Sequence, residues 1–175
     1  SLDNAWMVTP FLKYIHKLTP ITLTLLTQQS EDQIDTDRHQ HLKHQLIVCL
    51  KRLLTASKYS DLVHALCCAC AQIISDFDGS ITKKEALQWS VGAFIFYHSV
   101  IPSITSLARM AAASDTERRG AHLIGRLITK MCCGQRFDDL PAGCVVNEVL
   151  GDASALFSTF LLDAEEKGTS AQEKL

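Results

Sequence analysis

Backbone breakers are scarce in this chain, with four prolines and eight glycines among 175 residues. That scarcity excludes a collagen-like or low-complexity chain and leaves room for long helices. No run alternates apolar and polar residues convincingly at the strand period, so no sheet is expected. Internal repeats are missing as well. So are a glycine-rich phosphate loop, a nucleophile elbow and a His-Glu-x-x-His pair, which leaves no positive support for an enzyme. Net charge is small, −2 with an isoelectric point near 6.4, and gives no reason to expect nucleic acid or an anionic membrane as the main partner.

What is present is an apolar, helix-compatible chain of one-domain length, 47% hydrophobic by residue. Its seven cysteines include the adjacent pairs Cys67-Cys68 and Cys132-Cys133 inside helical patterns. Vicinal pairs in helices make a poor disulfide framework, so a reducing, intracellular setting is expected. Residues 86–100 are apolar almost all the way round the helical wheel. At this length the segment is short for a membrane span, and it carries Gln88, Ser90 and His98. It is expected to be the central helix, buried on every side by others.

Around it the sequence spaces further elements. Thr9-Pro10 has the form of an N-cap and first-turn proline opening a helix over 11–18, and Pro20 precedes a second apolar run over 21–26. Residues 28–40 are polar and acidic and read as a flexible surface loop. Leu42, Leu46, Leu50, Leu53 and Leu54 share a helical face, and a helix over 61–75 carries Leu62, Leu66, Ile73 and Ile74. Asp78-Gly79 is the sharpest turn signal, and Thr82 with Glu85 forms a capping box that opens the central helix. Pro102 interrupts, a helix resumes over 104–113, and Asp115 can cap another that stops at Gly134. A last amphipathic segment covers 145–162. The expectation is an all-α, single-domain bundle of seven to eight helices over residues 1–164, followed by a polar, disordered tail over 165–175.

Asp76, Asp78, Gly79, Ile81 and Glu85 match positions three, five, six, eight and twelve of an EF-hand loop, but Ile74 holds the first position, where a liganding aspartate is needed. A capped turn is the favoured reading, with a calcium-responsive turn as the alternative. His64, Cys67 and Cys70 have metal-ligand spacing without a second pair to complete a tetrahedron, so a packed helix is favoured. His39, His41 and His44 cluster beside the acidic stretch and share no obvious fourth ligand. Arg118, Arg119, Arg126 and Lys130 form a basic stripe, read as a solvated helix face.

Leu2-Asp-Asn4, Met7-Val8 and Lys13-Tyr-Ile-His-Lys-Leu18 together resemble the N-terminal helix of the Bcl family of apoptosis regulators. The polar stretch after the first helices, and Phe77-Asp-Gly79 directly before an apolar helix, are similar to that family's layout. The family continues from its Asp-Gly with Asn, Trp, Gly and Arg, where this chain has Ile81, Thr82, Lys83 and Lys84, so only the charge of the last position is kept. The resemblance implies a Bcl-like bundle of pro-survival type, in the cytoplasm and at the mitochondrial outer membrane. Its membrane contact would be through a C-terminal anchor absent from this chain. It implies a hydrophobic groove that takes the amphipathic death-motif helix of a pro-apoptotic partner by apolar burial, with no cofactor and no chemistry. The implied walls are Leu50, Leu53, Leu54, Leu62, Leu66, Ile74, Leu87 and Val91, with Lys84 as charge partner. The alternatives are a calcium- or metal-responsive helical domain and an oligomerising scaffold.

Overall fold

The computed structural model describes residues 5–29 and 32–174. These form an all-helical structure with no strands, built from seven helices. They are α1 (Ala5–His16), α2 (Pro20–Thr27), α3 (Gln33–Leu53), α4 (Asp61–Phe77), α5 (Lys83–Arg109), α6 (Asp115–Cys133) and α7 (Val145–Glu173). A short 3-10 turn, Ala56–Lys58, joins α3 to α4. Leu2, Asp3 and Asn4 of the Bcl-like motif, and Glu31 of the acidic stretch, lie outside the described residues.

Capping fixes most helix starts. Thr19 with Thr22, Thr82 with Glu85, and Ser114 with Glu117 each close a reciprocal box, and Asp32 and Ser60 accept a first-turn amide. The cap of α6 is therefore Ser114, not Asp115, because its hydroxyl stands three residues before Glu117. Gly134 ends α6 in the left-handed region, at φ 64°, a conformation that costs glycine little.

Further expectations are corrected, among them the interruption at Pro102, since α5 runs through it and ends at Arg109 rather than at residue 113. α1 starts at Ala5 and runs through Pro10. Burial of Met7, Val8, Phe11, Tyr14 and Ile15 along one face compensates for the amide that proline lacks. Residues 33–40 of the expected acidic loop are the first turns of α3. Asp32 caps them, and His39 is buried against α7, 2.7 Å from the Glu148 carboxylate. The expected tail is helical to Glu173, continuous with α7. Finally, α5 is not buried on every side. Its buried residues Leu87, Val91, Ile95, Phe96, Val100 and Ile104 form one face, while Trp89, Phe94 and Tyr97 stand exposed on the other.

Residues Gly92–Val100 of α5 are π-helical, and that wider turn keeps apolar positions four to five residues apart on the buried face. α5 and α6 pack as an antiparallel pair, α4 lies against α5 and α7, and α3 lies against α7. The aromatic centre joins Phe96, Phe157 and Phe160 to Tyr59 and Trp6 through ring contacts of 5.2–6.4 Å. By length and composition, α5 and α7 are each apolar enough to cross a membrane. In α7 half of the most apolar window is buried inside the bundle, against 28% in α5.

Candidate functional site: the outer face of α4

α4 inverts the usual arrangement of an amphipathic helix. The side facing its neighbours carries mostly small residues, with Ala65, Cys67 and Ala71 buried and Cys68 half-buried, His64 as the one large buried group, and Val63 and Ile74 half-buried at its edge. Small side chains let α4 and α7 approach closely. At Gly168 of α7, an added Cβ would stand 2.5 Å from the His64 carbonyl oxygen and overlap Cys68 Sγ. His64 is held by a 2.8 Å hydrogen bond from Nε2 to the Ala56 carbonyl.

Four large apolar residues of α4 point the other way. Leu62, Leu66, Ile73 and Phe77 are 64, 46, 67 and 94% exposed. At 100° per residue these positions fall within a narrow stripe, running about 22 Å along the helix. Single exposed leucines are ordinary, but an aligned row of four is a feature associated with binding surfaces. Ile73 and Phe77 complete a row that the sequence reading began with Leu62 and Leu66. Their spacing of four, seven and four residues was the available signal.

The remaining groove residues are distributed differently. Leu50, Leu53, Leu87 and Val91 are buried, because α3 and α5 turn those faces toward the bundle interior, and of the four Leu87 also lines a cavity of about 420 Å³ with Cys68, Ala71 and Gln72 of α4. Leu54 and Ile74 are half-buried against the same core. Lys84 is exposed, and the cavity it lines, about 320 Å³, also takes in Gln88, Arg136, Phe157 and Leu161 but no α4 residue. Neither Lys84 nor Arg136 has an ion-pair partner among the described residues.

The turn after α4 is locally self-satisfied. Asp78 Oδ1 accepts from both the amide and the hydroxyl of Ser80, at 3.0 and 2.6 Å. Those two bonds, the hydroxyl first, hold its carboxyl below the usual aspartate range. Asp76 accepts from Gln72, and Glu85 from the Thr82 amide, so the EF-hand-like carboxylates do not converge. Among the described residues no group of three histidine, cysteine or acidic side chains is placed to hold a metal ion.

All seven cysteines are free thiols, and burial pushes Cys49 up to about 11 and Cys67 up to about 12. The basic stripe of α6 divides. Arg118 donates to the Met110 carbonyl and Arg119 lies 3.8 Å from Asp115, whereas Arg126 and Lys130 face a cleft toward α5. No protein-family model, no curated protein and no solved structure matches the chain.

Proposed function

We propose that this domain is a non-catalytic binding module that captures an amphipathic helix of a partner protein on the outer face of α4. The observation that carries the reading is the aligned, exposed row of Leu62, Leu66, Ile73 and Phe77. An amphipathic helix presents apolar anchors at i, i+3 or i+4 and i+7, and a row of this length offers them matching apolar surface. Each large side chain withdrawn from water contributes about 1.5–3 kcal/mol when fully buried, so a few anchors suffice for useful affinity after the cost of association. The resemblance to apoptosis regulators names the occupant: the death-motif helix of a pro-apoptotic partner, sequestered without chemistry. In this reading Leu62 and Leu66 keep their assigned role, and Ile73 and Phe77 join them. Lys84 is not needed as the charge partner.

Isothermal titration against death-motif peptides of about 26 residues, roughly seven helical turns, tests it. The expected result is saturable 1:1 binding that Leu66→Glu abolishes while its circular dichroism and melting stay those of the parent. Binding that survives both Leu66→Glu and Phe77→Ala would remove α4 from the site. If no peptide binds and light scattering shows concentration-dependent dimers that Leu66→Glu dissociates, the row serves self-association instead.

A further inference from the structure

On the α5–α6 pair lies a second surface with a different chemistry, which the helix-capture reading does not use. A cleft of about 600 Å³ runs between the two helices and contains no carboxylate among its lining residues. Arg109 comes from α5, and His122, Arg126 and Lys130 come from α6. The floor includes Ile101 and Gly125, where the helices close up: a Cβ on Gly125 would stand 2.9 Å from Thr105 Cγ2. Arg126 is oriented from outside the cleft. Its guanidinium lies 4.9 Å from the centre of the Phe137 ring and 3.6 Å from Asp139, itself an exposed group. Arg109 and Lys130 have no ion-pair partner among the described residues.

The spacing of these charges selects among anions. His122, Arg126 and Lys130 are four residues apart on one helix, so they form a line with a repeat of about 6 Å rather than a ring around one point. A lone phosphate needs donors that converge on it. A helix with carboxylates at i, i+4 and i+8 presents negative charge at the same repeat of about 6 Å and can lay small apolar residues on the Ile101–Gly125 floor. We infer that the α5–α6 cleft docks an acidic helical segment of a partner protein. Its carboxylates pair in register with Arg126 and Lys130 of α6, and Arg109 of α5 supplies a further positive charge from the other wall. This surface is independent of the row on α4, and the two fail or stand separately.

The test uses the whole chain and a stapled helical peptide of about 16 residues, stapled because so short a helix is marginal in water alone. Glutamate occupies every fourth position, and a second peptide of identical composition has its glutamates out of helical register. Fluorescence anisotropy should show 1:1 binding of the in-register peptide, weakening as salt rises, with affinity at least about tenfold above its isomer. The double variant Arg109→Glu/Lys130→Glu should lose about tenfold or more, while Leu66→Glu binds as the parent does. Should the reversed pair not fold, Arg109→Gln/Lys130→Gln should still weaken binding. Equal affinity for the two peptides, or no loss in either double variant, would overturn the proposal. So would displacement of the peptide by millimolar inorganic phosphate or by phosphatidylserine-containing vesicles at matched ionic strength, since either marks a phosphate or lipid site.

Discussion

Replacing Gly168 by alanine sets two effects of opposite sign against each other. In an open helix interior the change stabilises by about 1 kcal/mol, because glycine is the poorer helix former. At position 168 the new methyl would stand 2.5 Å from the His64 carbonyl oxygen and overlap Cys68 Sγ. The sulfur can turn away, but the oxygen belongs to the α4 backbone and cannot. Overpacking costs about 1–3 kcal/mol, and a backbone collision belongs at the upper end. The net expectation is a loss of about 2 kcal/mol, or a melting point lower by about 4–8 °C for a chain of this size.

The assay is denaturant and thermal unfolding of the parent, Gly168→Ala and a control, Gly92→Ala, where the nearest atom to the added methyl is Cys132 Cβ at 3.5 Å. The control should be neutral or slightly stabilised. Hydrogen exchange over 162–173 separates global loss from detachment of the last turns of α7, which would relieve the clash locally. Gly168→Ala as stable as the parent, with unchanged exchange over those turns, would refute the close approach of α4 and α7.

Other outcomes follow from single sites. Buried Asn147 accepts from the Phe137 amide at 2.8 Å and donates to the Phe137 and Pro141 carbonyls, so Asn147→Ala should cost about 2–3 kcal/mol in urea unfolding. A loss under half a kilocalorie would show the α6–α7 connection to be held by something else. Brief alkylation at about pH 8 should label exposed Cys133 first and leave Cys49 and Cys67 until unfolding, since only about one in a thousand Cys49 thiols is ionised there. Mass spectrometry finding Cys49 labelled as fast as Cys133 would contradict that order. For Asp78, a depressed carboxyl contributes fully above its ordinary range and loses that contribution as pH falls through its lower folded value. The Ser80 amide resonance should therefore titrate with a midpoint below that of a free aspartate, and a midpoint at or above it would break the assigned hydrogen bonds.

Legibility tracked the range of the interactions involved. The Thr82–Glu85 box and the Gly134 stop depend on side chains within three or four residues of the backbone they satisfy, and the structure has both. The acidic stretch before Gln40 misled because its helix is secured from afar. His39 and Lys43 meet Glu148, more than a hundred residues on, and Lys43 also reaches Asp152 at 3.2 Å. Residues 165–173 misled for the same reason, since Gly168 seats them on α4.

The candidate surface divided along the same line. An apolar α4 was evident from composition and period, because both are local properties of the chain. Which of its faces would be covered was not, because that depends on which neighbour can approach. Gly168 lets α7 close on the small side chains of α4, and Leu62, Leu66, Ile73 and Phe77 are left in solvent. α5 follows the same logic, apolar around its whole circumference in sequence yet covered on one face only. By itself the sequence determined the helical class, the caps and the stops, all set by neighbouring residues. Tertiary packing alone decided which apolar faces are core and which are surface, since burial belongs to pairs of elements and not to one.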